Sequence, residues 1–138
     1  MDRSVPVKFH HLAYLVMDTT RSVESLRLFF PKVTLLRKPH DLQGVYITYM
    51  STADGKMTIE LVEPFENNKL LWNQLHREKR ACLPYHICLS VDSFEAEYNR
   101  MRRLGWIPIT RPFEASIGTK GSHLYKPAGG IIEIVGIN

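Results

Sequence analysis

Along His11-Leu-Ala-Tyr-Leu-Val-Met-Asp18, and again along His86-Ile-Cys-Leu-Ser-Val-Asp92, a short apolar run opens on a histidine and closes on an aspartate. Both runs have the length and apolar, β-prone content of a strand. Behind each comes a stretch with helical character, Thr19 to Phe30 and Ser93 to Leu104, opened by residues that cap exposed backbone N–H groups. Further on, Thr58-Ile-Glu-Leu-Val62 is echoed by Ile131-Ile-Glu-Ile-Val135, each a β-prone run with one carboxylate at its centre. His11 and Glu60 lie 49 positions apart, His86 and Glu133 47. Such matched order and spacing mark an internal repeat.

Each half therefore reads as strand, helix and three strands. In the first half the later strands are expected at about 34–38, 44–50 and 56–62, with Asp54-Gly55 as a hairpin turn. In the second they fall at about 106–110, 121–125 and 130–135, the last two joined through Pro127-Ala-Gly-Gly130. Between the halves, Leu70, Leu71, Trp72 and Leu75 give 67–80 the pattern of an amphipathic linker helix. The expected class is α+β: a single domain over 1–138, with module one at about 7–64, the linker helix at about 67–80 and module two at about 82–136.

Composition sets few further bounds. With 138 residues, 44% hydrophobic and 23% charged, the chain matches an ordinary globular domain. Neither an N-terminal signal-like stretch in MDRSVPVKF nor an apolar run of about 18 residues is present, so a cytoplasmic address is expected, with no membrane partner. A disulfide between Cys82 and Cys88, six residues apart in one candidate strand, would bend that strand sharply, so both thiols are expected reduced. The net charge of +4 is concentrated in His76–Arg80 and Arg100–Arg103, where solvated helix faces explain it. No motif supports a nucleic-acid partner.

The chemistry sits in the repeat. A carboxylate inside Ile-Glu-Leu-Val or Ile-Glu-Ile-Val must be neutralised, paired or coordinated. Its occurrence at matched places asks for one cause. If the halves pack about an approximate twofold axis, His11, Glu60, His86 and Glu133 line a common cleft as a site for one divalent metal ion. Nitrogen and oxygen donors suit Co, Mn, Ni, Zn or Fe, and the sequence does not choose among them. Phe9, Ala13 and Leu15 share the strand face of His11, as Cys88 and Ser90 share that of His86; Cys88 reads as a small packed hydrophobe. His10 falls on the opposite face from His11. His40, His76 and His123 have no equivalent in the other half and are expected at the surface or at secondary sites.

Phe9-His-His-Leu-Ala-Tyr14, Gln43-Gly-Val45, Lys56-Met-Thr-Ile-Glu-Leu-Val-Glu-Pro64, Tyr85-His-Ile87 and Gly129-Gly-Ile-Ile-Glu-Ile134 together resemble the vicinal-oxygen-chelate superfamily of glyoxalase I and methylmalonyl-CoA epimerase, with the epimerases most similar. Residues 7–136 take part. The resemblance implies paired βαβββ modules forming a cup-shaped mixed sheet around a metal, an acyl-CoA substrate, and an isomerase that stabilises an enolate. Glu133 becomes the first candidate for a ligand with base character. A homodimer is plausible as cover for open sheet edges. Two departures stand out. Ile47 occupies the place where some bacterial epimerases carry a glutamate, and Leu124-Tyr-Lys-Pro127 replaces their Phe-Leu-His-Pro. A glyoxalase I-type lyase acting on a thiol–aldehyde adduct and a non-catalytic small-molecule binding or resistance protein are the alternatives. The short chain and Glu60 disfavour a ring-cleaving dioxygenase. Lys120, His123 and Lys126 are expected as solvated residues, within reach of a CoA phosphate or substrate carboxylate.

Overall fold

The computed structural model describes residues 7–115 and 119–137, so the first six residues of the stretch read for a signal lie outside the described residues. The fold is mixed α+β and divides into two compact units, one from His11 to Tyr85, the other combining residues up to His10 with those from His86 onward. Along the chain run β1 (Val7–Val16), α1 (Thr19–Leu26), β2 (Lys32–His40), β3 (Val45–Ser51), β4 (Thr58–Pro64), α2 (Lys69–Glu78), β5 (Cys82–Val91), α3 (Phe94–Arg103), β6 (Ile107–Pro108), β7 (Phe113–Glu114), β8 (Lys120–Lys126) and β9 (Gly130–Gly136). No helix among the described residues is long and apolar enough to cross a membrane.

In the first unit the strands are ordered β2-β3-β4-β1, with β1 parallel to β4 and the other pairs antiparallel. The β3–β4 hairpin closes where expected: Gly55 takes φ +72, and the Asp54 carboxylate accepts from the Thr52 hydroxyl at 2.6 Å and from the Lys56 backbone N–H at 3.0 Å. Alternation then sorts the side chains onto two faces. One carries Val16, Met50, Ile59 and Leu61 and packs with Val23 of α1. The other carries Ala13, Leu15, Val45, Ile47 and Val62, packed with Leu71 and Leu75 of α2.

Helix α1 starts on two carboxylates. Asp18 caps the backbone N–H of Arg21, and Glu63, reaching across from β4, accepts from the Thr19 N–H at 2.9 Å. The helix stops at Leu26 instead of running to Phe30. Pro31 disfavours helical geometry in the residue before it, which limits any extension. In α2, Asn68 caps Leu71 while its amide donates to the Gly44 carbonyl at 2.9 Å, and Lys79 ends the helix in left-handed geometry with φ 54.

The second unit repeats the order as β6-β8-β9-β5, with β5 parallel to β9, and adds β7 against the start of β8. Here the strand expected over 106–110 is broken: only Ile107–Pro108 pairs regularly, and Phe113–Glu114 resumes the ladder. Pro108 and Pro112 lack the N–H that a continuous strand would donate. One sheet face carries Val91, Leu124 and Ile134 against Phe94 of α3, with Tyr98 and Met101 alongside; the other carries Cys88 and Val135 against Ala115.

Candidate functional site

The parallel strand pairs place the four predicted donors two by two. Ala13 is the register partner of Glu60 between β1 and β4, and Cys88 is the partner of Glu133 between β5 and β9. Each histidine precedes that partner by two residues, so it shares the glutamate's face. The result is a buried pair in each unit. His11 Nε2 lies 3.6 Å from Glu60 Oε1, and His86 Nε2 lies 3.2 Å from Glu133 Oε1. All four residues are at most 6% exposed.

Burial decides what such a pair can be. A carboxylate held out of water needs a positive partner or strong donors, and an imidazole or a cation beside it supplies either. Adjacent donors around a first-row divalent ion, with bonds of about 2.1 Å, sit about 3 Å apart. Separations of 3.6 and 3.2 Å are close to that figure, and imidazole nitrogen with carboxylate oxygen is a donor set such ions accept. Both pairs therefore fit the chemistry of a divalent metal.

His123, expected at the surface or at a secondary site, is not at the surface: it is 2% exposed and lies directly opposite Glu133 in the β8–β9 ladder. Its Nε2 stands 3.7 Å from Glu133 Oε2, and its ring meets that of His86 edge-on at 4.6 Å while stacking on Phe113 at 5.4 Å. The signal was present in the turn: closing the hairpin through residues 127–130 pairs Lys126 with Gly130, and counting inward brings 123 opposite 133. The same count in the first unit brings Tyr49 opposite Glu60, with its ring 5.6 Å from that of His11. Histidine 123 therefore has an equivalent position in the other half, filled by a different residue.

Other expectations resolve individually. Cys88 is fully buried between Ala115 and Val135, as a packed hydrophobe should be, whereas Phe9 is 51% exposed. Neither Cys82 nor Cys88 takes part in a disulfide. Burial pushes the Cys82 thiol up, against a smaller lowering by Arg80. Lys120 is exposed and pairs with Glu95, and Lys126 donates to the Leu104 carbonyl at 2.7 Å in an exposed hydrogen bond. His76 is exposed and stacks on Trp72. Ile47 is 2% exposed and belongs to the apolar layer under α2, so it brings no carboxylate to the Glu60 face.

A fold of repeated βαβββ modules, with a histidine and a carboxylate on adjacent parallel strands of each, defines the class of protein. Residues 10–124 match the Glyoxalase/Bleomycin resistance protein/Dioxygenase superfamily, and the chain belongs to it. Among solved structures it is similar to methylmalonyl-CoA epimerase from Mycobacterium tuberculosis, with a TM-score of 0.80 at 18% identity over 99% of this chain and 92% of that one. A Streptomyces coelicolor methylmalonyl-CoA epimerase variant in complex with 2-nitronate-propionyl-CoA gives 0.76 at 21%, covering 94% and 96%. A methylmalonyl-CoA epimerase in complex with methylmalonyl-CoA and ammonium gives 0.77 at 21%, covering 94% of each chain. At these identities the likeness establishes the fold. No curated protein matches the sequence.

Proposed function

We propose that this chain is a metal-dependent epimerase or isomerase of an acyl-CoA substrate, acting as a homodimer, with His11, Glu60, His86 and Glu133 as ligands of one divalent ion. The observation that carries the reading is the duplicated histidine–glutamate pair, set at the same register on the same parallel strand pair of each module. Fold similarity to proteins described as methylmalonyl-CoA epimerases supports an acyl-CoA substrate. Bound there, a divalent ion would polarise a thioester carbonyl and stabilise the negative charge that develops on its oxygen when the neighbouring carbon loses a proton.

The chain's own residues supply the rest. Glu133 is buried, and its two carboxylate oxygens stand toward different imidazoles, Oε1 toward His86 and Oε2 toward His123. A carboxylate so held can accept a proton from carbon and return it. Buried positions such as Cys88 and Val135 on the same face keep that carboxylate away from bulk water. Ile47 cannot serve as the opposite-face base, so inversion needs a proton carrier from elsewhere.

The test is solvent-deuterium exchange into methylmalonyl-CoA by protein loaded with Co²⁺, comparing wild type with Glu133→Ala. The proposal expects metal-dependent exchange that the substitution abolishes. Metal binding without exchange would overturn the substrate class and favour a glyoxalase-type lyase, which turnover of methylglyoxal with glutathione would then show.

A further inference from the structure

We infer that His123 is a positioning residue: together with Thr110 it fixes which oxygen of Glu133 is presented beside His86. The inference rests on the metal-site reading of Glu133 and deepens it. Three side chains of the second unit form the series. The Thr110 hydroxyl oxygen accepts from the His123 backbone N–H at 2.9 Å and lies 3.4 Å from His123 Nδ1. Ser122 Oγ, also 3.4 Å from that hydroxyl, already donates to the Thr110 carbonyl at 2.9 Å. His123 Nε2 then stands 3.7 Å from Glu133 Oε2, while Glu133 Oε1 is 3.2 Å from His86 Nε2.

With the Thr110 hydroxyl proton assigned to His123 Nδ1, the series has a direction. A threonine hydroxyl has one proton to donate. Aimed at Nδ1, it makes that nitrogen the acceptor and leaves the imidazole proton on Nε2, facing Oε2. From 3.7 Å, an approach of about 0.8 Å reaches an ordinary N–H···O bond. Hydrogen bonds of this kind are commonly long before a site is filled and shorten when it is. Stacking on Phe113 and the ladder pairing with Glu133 hold the ring while that happens. Outer groups that orient a ligating side chain typically contribute about 10–100-fold in metal affinity or activity.

The first unit presents Tyr49 at the equivalent position, so the two carboxylates are treated differently. Glu133 has an imidazole facing its second oxygen, and the ladder partner of Glu60 is a tyrosine.

The experiment measures Co²⁺ affinity by calorimetry and the visible Co²⁺ spectrum on wild type, His123→Leu, His123→Gln and Thr110→Val, with thermal melts of each metal-free protein as the folding control. Expected are about 10–100-fold weaker binding in His123→Leu, recovery of most of that loss in His123→Gln, which keeps an N–H near the same place, and an intermediate loss in Thr110→Val. The visible bands should keep the wild-type pattern throughout, since the ligands are unchanged. Unaltered affinity in His123→Leu overturns the inference, and so does a changed band pattern, which would make His123 itself a ligand. Should His123→Leu fail to fold, the glutamine and valine variants decide between the same outcomes. Failure of wild type to bind Co²⁺ would instead sink the metal reading beneath it.

Discussion

Glu63 and Thr19 lie 44 residues apart, and the carboxylate of the first accepts the backbone N–H of the second at 2.9 Å, joining the end of β4 to the start of α1. The other Glu63 oxygen accepts from Arg37 Nη2 at 2.7 Å, and that guanidinium lies 3.9 Å above the Tyr46 ring. Burial pushes the Glu63 carboxyl up, but the Arg37 and Thr19 hydrogen bonds together hold it below the usual carboxylate range. A carboxyl with a depressed folded-state pKa stabilises the fold above its unfolded pKa of about 4.3, and the contribution is lost as pH falls through the folded value. Glu63→Gln should therefore cost roughly 1–3 kcal/mol in urea denaturation at pH 7, and the gap from wild type should narrow steadily below about pH 5. A gap that stays constant down to pH 3 would show that the charge is not what matters.

Metal addition should stabilise the protein. A ligand that binds only the folded state contributes about 2.7 kcal/mol at a free concentration of 100 times its Kd, or roughly 10 °C in melting temperature for a chain of this size. Calorimetry with and without Co²⁺ reads this directly, and replacing Glu60 or Glu133 with alanine should remove most of the shift.

Helix α2 is anchored through one side. Leu75 is fully buried against the sheet, whereas Leu70 on the same helix is 79% exposed. Leu75→Ala should cost about 2–5 kcal/mol, and Leu70→Ala should stay within about 0.5 kcal/mol of wild type. Equal effects in denaturant titrations would mean that α2 is not packed on this face.

Thiol labelling should discriminate the cysteines. Cys88 is fully buried and Cys82 half-buried with its thiol pushed up, so near pH 7 a disulfide reagent should modify Cys82 slowly and Cys88 only on unfolding. Rapid modification of Cys88 in native protein would contradict its packing between Ala115 and Val135.

The repeat itself was legible because each half announces its strands through the same short words: His86-Ile-Cys repeats the place of His11-Leu-Ala, and Ile-Glu-Ile that of Ile-Glu-Leu. The partnership of His11 with Glu60 followed from those matched spacings. Less legible was whatever depends on geometry across strands. Alternation within β8 marks His123 only as sharing a face with Gly121 and Tyr125; that Glu133 lies on the facing strand at the same level requires the register of the hairpin. The left-handed Arg37, φ 47, sits in a run with no glycine or asparagine to advertise it, at the irregular pairing between Leu35 and Lys38. Its guanidinium link to Glu63 was invisible for the same reason.

Within each module the histidine meets its glutamate only through a parallel ladder, β1 on β4 or β5 on β9, whose partners are separated by most of the module's length. Hairpins such as β3–β4 and β8–β9 close short loops and form early; ladders between distant segments carry a larger closure entropy and come later. Donor pairs that form only after the rate-limiting encounter would couple a bound ion to unfolding and not to refolding. An ion held by them should leave the refolding rate unchanged and slow unfolding instead, lengthening the lifetime of the native state.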